Sequence, residues 1–427
     1  MITDCDVVVV GAGVAGLAAA AAVRAAGRSC VLIEASGRIG GRALTTTPPG
    51  FGGAWFDHGA TWLHAAERNP LVGIAEAAGE TVIDSDKHRN WRLQIGERAA
   101  TPAEAAGFEA FRERFEAVVR PRARAEPDIA FAEAMAPLRD DPWAATVELW
   151  EAAQIAAADP VRFSLRDWDI NDLDGGNRIV EGGIGAFIAR RLGPAAGAVS
   201  LETRAERIDW AGPIRVETNR GTIRAEAAIV TVSTGVLGRI AFAPALPDAH
   251  QAALDGLPMG LLTKIAIPAV SADRLGLPDN ISLRRQAVRG VPMMSFMAWP
   301  FGRPYLQGFV GGPAAWALAK EGAAATADFA LAQVRALLGA DATRSLGAPL
   351  VTGWAGDANF LGSYAYATVG NAGARGALGT PFADGRMIIA GEAVCTDGLA
   401  GTLGGAWLNG VQAARNAIAA LRAAPQG

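Results

Sequence analysis

Apolar residues fall along the chain in two regimes. Near the N-terminus Asp6 precedes an unbroken apolar run, Val7 to Val10, of the kind a strand buried on both faces carries. Gly11-Ala12-Gly13-Val14-Ala15-Gly16 then opens an Ala-rich segment, Leu17 to Ala26, that predicts a helix, and Ser29 to Ile33 predicts a second strand ending in Glu34. Further on the period changes. Phe108, Phe111, Phe115 and Val119 recur at helical spacing within 103–125, and Trp143, Val147, Trp150 and Ile155 do so within 143–158. These predict two amphipathic helices that cover something, with their aromatics in the core and no catalytic constellation among them. Strand-like segments follow around Ile208 and at Ile214 to Thr218, Thr222 to Ala225 and Ala228 to Val232. Their order predicts a meander followed by a strand that rejoins the parallel sheet.

From about residue 259 the pattern changes again, and Leu262 to Ile267, Met293 to Trp299 and Tyr305 to Gly311 read as antiparallel strands. A helix is predicted over Ala324 to Leu338, and strands around Leu350 to Trp354 and over 386–390. The last element is an amphipathic helix, Leu408 to Leu421, with a short polar tail. The two kinds of segment interleave. This predicts one unit made of 1–75, 177–258 and 375–427, and another made of 76–176 and 259–374.

Composition narrows the field. Across 427 residues, 51% hydrophobic and 19% charged describe a well-buried globular chain long enough for two domains. A net charge of −4 carries no basic footprint, which excludes nucleic acid as an expected partner. Cys5, Cys30 and Cys395 have no paired spacing, so neither a disulfide framework nor a cysteine-type metal site is expected. The first strand begins at about residue 6, leaving no room for a signal peptide, and glycines break the apolar run Val7 to Ala22. No other stretch approaches the ~20 residues a membrane span needs. A soluble cytoplasmic protein is the expectation, monomeric or homodimeric, with no membrane and no nucleic acid among its partners.

Candidate chemistry begins at the first turn. Gly11, Gly13 and Gly16 between a strand and a helix, with Glu34 closing the next strand, form a dinucleotide cradle. The glycines allow the backbone to approach a pyrophosphate at the helix N-terminus, and the acid holds a ribose hydroxyl. Ala35-Ser36-Gly37-Arg38-Ile39-Gly40-Gly41-Arg42 suits a loop around phosphates. Gly59 and Ala60 are small enough to lie against a flat ring, and Trp62 and His64 could face a pocket. Lys264 interrupts an otherwise apolar strand, which requires a reason because burying an unpaired ammonium is costly.

Assembled, these residues resemble the FAD-dependent amine oxidases, the monoamine, polyamine and histone-demethylase-like flavoproteins. The likeness runs from the first turn through Glu34, Gly40-Gly41-Arg42, Gly59-Ala60-Thr61-Trp62, the Val230 to Leu237 segment and Lys264. It continues with Trp354, Gly362-Ser363-Tyr364, Gly391-Glu392, and Gly401-Thr402 before Gly405-Ala406. The resemblance implies an α/β fold: an FAD-binding, Rossmann-like domain of glutathione-reductase type, with a mixed antiparallel-sheet plus helical substrate domain. It implies noncovalent FAD, with Gly11, Gly13, Gly16, Glu34, Ala35, Gly40, Gly41 and Arg42 on its ADP half and the backbone of Ala205 at adenine. Gly391 and Glu392 fall near the ribityl and pyrophosphate region, and Gly59, Ala60, Thr61, Trp62, Trp354 and Thr402 around the flavin. Lys264 matches the family lysine that reaches flavin N5 through a water.

The implied reaction takes a hydride from the carbon next to an amine nitrogen. The imine hydrolyses to an aldehyde or ketone, and dioxygen reoxidises the flavin to give hydrogen peroxide. Lys264, His64 and Tyr364 are the implied catalytic residues, and no metal is expected. Ser363 stands where monoamine oxidases carry the cysteine that bonds to FAD. Tyr364 is one wall of an aromatic cage whose second wall aligns with Thr402. No arginine follows Gly59-Ala60, unlike the L-amino-acid oxidases, which weakens an amino-acid substrate. Lys264 in register and Trp62-Leu63-His64, which resembles a stretch of the animal polyamine oxidases, make a polyamine or another primary or secondary amine the expected substrate. Asp84, Asp86 and Glu151 are candidates for a second ammonium, with solvated surface carboxylates as the favoured reading. A flavin dehydrogenase or desaturase passing electrons to another acceptor is the alternative, and a binding module the remote one.

Overall fold

A computed structural model describes residues 2–423; the polar tail expected after the last helix lies outside them. The apolar run forms strand Ile2–Val10, flanked in parallel by Cys30–Ile33 and by Gly221–Val230. The sheet reads Ala241–Ala243, Ala205–Asp209, Ile214–Thr218, Gly221–Val230, Ile2–Val10, Cys30–Ile33 and Val199–Ser200 in order. Met387–Ile389 pairs with the end of Gly221–Val230. The helices Val14–Ala25 and Leu403–Ala423 pack on one face, where Leu17, Val23, Ala413 and Ala417 join a single apolar cluster.

Two expected strands, Thr222 to Ala225 and Ala228 to Val232, are one continuous strand, Gly221–Val230. Its first half alternates between buried and open positions beside the meander, and Ala227 to Val230 are all buried between the parallel strands. The change from one covered face to two reads in sequence as a break.

A second sheet carries the other wall of the molecule. Its order is Leu350–Val351, Leu262–Pro268, Tyr305–Gly311, Ser295–Ala298, Ile281–Arg285, Asn90–Ile95 and Arg98–Ala99. Helix Ala323–Leu338 closes its back through Ala330, Val334 and Leu337. The expectation that 76–176 is helical fails at Asn90–Ile95, which joins this sheet parallel to Ile281–Arg285. Asn90 and Trp91 are exposed, Gln94 is the one buried residue and the rest are half-buried, which blurs its alternation.

The covering helices form as the periodicity predicts, with one departure. Helix Pro102–Ala123 starts at a reciprocal cap between Thr101 and Glu104 and buries Phe108, Phe111, Phe115 and Val119. The expected helix over 143–158 runs as Ala144–Glu148 and then widens into a π-helical turn, Leu149–Ile155. Such a turn inserts a residue and re-aims the side chains around it.

A buried ion pair pins the cover to the first sheet. Arg375 Nε and Nη2 donate to Asp167 Oδ1 and Oδ2 at 2.7 and 2.8 Å, and Arg375 also donates to the carbonyls of Ala365 and Ala393. Asp167 Oδ2 accepts the Ala367 amide at 2.9 Å as well. Asp167→Asn leaves the guanidinium without its charge partner in a dry site. Denaturant unfolding should show a loss of about 3 kcal/mol; a loss below about 1 kcal/mol would contradict this role.

Candidate active site

A single cavity of about 890 Å3 runs from the first Gly-rich turn to the covering helices. At its deep end lies the dinucleotide cradle. Helix Val14–Ala25 begins at Gly13 with no side-chain cap, so its first amides are free to meet an anion. A Cβ at Gly13 would meet no protein atom nearer than 3.9 Å, so the fold leaves that space to a ligand. Gly16 differs. It does not line the cavity, and a Cβ there would stand 1.8 Å from the Gly11 carbonyl, so it serves strand-to-helix packing.

Glu34 is 7% exposed and fixed from both sides. Its Oε2 accepts the Ala12 amide, and its Oε1 accepts the Ser36 amide and hydroxyl, all at 2.8 Å. Ala35 and Ala205 line the same end, and the ladder shifts register between Ala205 and Arg207 at the rim. Arg42 Nη1 donates to Glu392 Oε1 at 2.8 Å and to the Ser363 carbonyl at 2.7 Å. Gly40, Gly41, Gly391 and Glu392 line this waist of the cavity. Uncapped amides, an immobilised carboxylate and an arginine along one elongated cleft form a donor set that fits FAD.

Beyond the waist the walls are aromatic. Trp354 donates its Nε1–H to the His58 carbonyl at 3.0 Å and lines the cavity beside Gly59 and Ala60. Trp62 packs on Phe309 with ring centroids 6.1 Å apart. Tyr364 donates its hydroxyl to the Ile155 carbonyl at 2.8 Å, and burial pushes that phenol well above its ordinary range. Thr402 lines the cavity, but its hydroxyl is engaged, donating to the Leu399 carbonyl and accepting the Gly405 amide. Ser363 is likewise engaged, bonded to both backbone groups of Leu262.

Lys264 is 4% exposed and points inward from its strand rather than out to solvent. Its Nζ donates to Thr61 Oγ1 at 2.6 Å and to the carbonyls of Gly59 and Asp57. It lies 5.5 Å from the centre of the Trp62 ring. Burial pulls its pKa down to about 8, against the opposing charge of Asp57.

His64 lines the cavity in a fixed tautomer. Asn177 Nδ2 donates to Asp86, which turns Asn177 Oδ1 toward His64 Nδ1 at 2.6 Å. The network thus assigns the proton to Nδ1 and leaves Nε2 as the acceptor. Burial lowers the pKa of this ring, keeping it neutral at neutral pH.

The π-helical turn supplies residues that sequence reasoning placed elsewhere. Trp150, Glu151, Gln154 and Ile155 line the cavity, as does Trp168, so these aromatics are wall as well as core. Glu151 is not a solvated surface carboxylate: burial raises its pKa to about 7, and Trp168 Nε1 donates to it at 3.3 Å. Asp84 and Asp86 are tied to Arg178 and Arg89 and do not line the cavity. Arg284 also lines it, a residue that no motif singles out. Among the described residues no cluster of His, Cys, Asp or Glu is placed to hold a metal, and no helix is long and apolar enough to cross a membrane.

Comparison with known proteins agrees with this geometry. The family model for flavin containing amine oxidoreductase matches residues 14–418. Polyamine oxidase 3 of Oryza sativa subsp. japonica is 29% identical, over 85% of this chain and 79% of its own. Probable polyamine oxidase 4 of Arabidopsis thaliana is 28% identical, over 96% of this chain and 86% of its own. The structure of putrescine oxidase bound to putrescine superposes with a TM-score of 0.80 at 20% identity, covering 98% of this chain and all of that one. At that identity it speaks for the fold alone.

The low pKa of Lys264 has a thermodynamic signature that needs no turnover. The unfolded lysine binds its proton up to about pH 10.5, and the folded one only to about pH 8, so stability rises with pH between those values. Relative to Lys264→Met, the wild type should gain up to about 3 kcal/mol across that window in denaturant unfolding. Parallel pH curves for the two proteins would contradict the buried ammonium.

Proposed function

The chain belongs to the flavin containing amine oxidoreductases, an enzyme family with FAD as its cofactor, and from that membership we propose how its own residues carry out amine oxidation. The observation that carries the reading is Lys264, buried among Thr61, Gly59 and Trp62 at the aromatic end of a cavity whose other end fits a dinucleotide. Bound FAD supplies the two-electron acceptor for the C–H bond next to nitrogen, with dioxygen taking the electrons on to hydrogen peroxide.

The protein's part is positioning, drying and proton control. The Gly13 to Ala15 amides, Glu34 and Arg42 hold the ADP half, and Gly59, Ala60 and Trp354 form the surface for the ring system. Trp62, Phe309 and Tyr364 exclude water, which disfavours an ammonium and favours the neutral amine whose lone pair is needed. His64 Nε2 accepts an amine N–H, while Asn177 and Asp86 keep the ring from turning. Lys264 Nζ holds a proton at the site, shared with Thr61 Oγ1. No cysteine lines the cavity and the Ser363 hydroxyl is bonded to Leu262, so the cofactor is held without a covalent link.

The substrate is a primary or secondary aliphatic amine, and polyamines are the first class to test. Relatives named as polyamine oxidases suggest it, and Glu151 supplies a partly dehydrated carboxylate for a second nitrogen. Aerobic turnover of spermidine or putrescine should yield aldehyde and hydrogen peroxide in equal amounts. Reduced flavin that persists in air without peroxide would favour the dehydrogenase reading instead. Glu151→Gln should lower kcat/KM for spermidine about ten-fold more than for butylamine, which has no second nitrogen. Spermidine's advantage over butylamine should grow as pH rises through about 7, where Glu151 ionises. Equal losses on both amines would remove Glu151 from this role.

A further inference from the structure

Arg284 has a setting that amine oxidation leaves unexplained. Its guanidinium lies between two indoles, its central carbon 2.9 Å from the Trp91 ring centre and 3.4 Å from that of Trp150. It is 7% exposed, its Nε is buried without a partner, and its guanidinium makes no hydrogen bond or ion pair with any described residue. Two aromatic faces stabilise a cation but accept none of its five N–H groups in their plane. A cation dehydrated to this degree ordinarily carries a carboxylate. Arg284 also forms the partition to a side pocket of about 250 Å3 that Arg89 and Arg112 help to line. Burial and those two arginines pull its pKa down, to about 8, against the opposing charges of Glu151 and Glu109, neither of which forms an ion pair with it.

Its place in the sheet puts Arg284 on the wall that carries Lys264. Lys264 pairs with Phe309, Phe309 with Ser295, and Leu283 with Phe296, which sets Arg284 beside Ser295. Residues in one such row share a face of the sheet. All four line the cavity. Three strand spacings separate the Cα atoms of Lys264 and Arg284, or about 14 Å. Both side chains reach into the cavity, so an extended amine lying along this row can meet Arg284 with its far end.

We propose that Arg284 is a carboxylate receptor, so that the amine best fitted to this cavity carries a carboxylate at the end remote from the carbon oxidised. The planar fork of the guanidinium, held between Trp91 and Trp150, offers a bidentate contact to that group. An internal nitrogen of the same molecule, where there is one, meets Glu151, the residue after Trp150. The site thus takes an amino carboxylate oxidised at its distal amine. This differs from an amino-acid oxidase, in which the carboxylate sits on the reacting carbon. The inference rests on the amine-oxidation reading and specifies its substrate class.

The test compares aminohexanoate, with its amine at the far end of the chain, against hexylamine, which lacks the carboxylate. For the FAD-loaded wild type, kcat/KM should favour aminohexanoate by about ten-fold or more, and Arg284→Met should bring the ratio close to one. Arg284→Lys, which keeps the charge but not the fork, should fall between them. A second readout is independent of turnover. Hexanoate should quench tryptophan fluorescence of the FAD-loaded protein saturably, and Arg284→Met should weaken that binding about ten-fold. A wild-type preference for hexylamine would overturn the proposal, as would hexanoate binding that is absent or indifferent to both substitutions. If no amine reduces the flavin, the amine-oxidation reading fails, and the hexanoate titration alone decides the subsite.

Discussion

The constraint on which the rest of the structure turns is a buried ammonium. Lys264 stands on a strand of the second sheet, and its acceptors come from the loop over 57–61, which follows the cradle of the first sheet. Removing such a charge from water costs several kcal/mol unless donors and acceptors match. The loop must therefore present two carbonyls and a hydroxyl to one point. That requirement fixes Gly59 and Thr61, and it sets Trp62 against Phe309 and the Lys264 ammonium. The neighbouring His58 carbonyl holds the indole of Trp354. One ion thus shapes the loop between the cradle and the aromatic walls.

Along the cavity, charge and dryness are graded. The deep end is polar and held by backbone amides, Glu34 and the Arg42–Glu392 pair. The middle is aromatic, so that it weakens a cation's hydration without offering it a partner. The far end carries opposite charges, Glu151 and Arg284, both partly stripped of water by the π-helical turn and its tryptophan. Binding energy from remote groups of this kind can position the reacting carbon without contacting it.

Legibility in the sequence follows the range of the interactions. The cradle is readable because its chemistry is local: glycines, helix and acid occur within one strand-helix-strand unit. Lys264 is readable because a charge in an apolar strand violates burial and so announces a function. Resemblance to the amine oxidases then orders Thr61, Trp354 and Glu392 into one site, and the cavity brings them together. Arg284 is illegible, and Glu151 legible only as one of three candidate carboxylates, for a physical reason. The place of Arg284 depends on the register of four strands and that of Glu151 on one inserted helical residue, neither of which leaves a local signature. Strand Asn90–Ile95 escapes for a similar reason, since its partner Ile281–Arg285 lies far along the chain and its own side chains show no clean alternation of burial.

The most direct test of the central claim is the rate of flavin reduction measured anaerobically. Wild type and Lys264→Met are mixed with saturating spermidine or aminohexanoate while the oxidised flavin band is followed. The account predicts that the amine bleaches the wild-type flavin and that loss of the ammonium slows this step by on the order of a hundred-fold. Loss of bound flavin is excluded by its absorbance before mixing. Equal reduction rates in the two proteins would contradict the account, leaving Lys264 as a buried structural cation and the site without its proton-holding group.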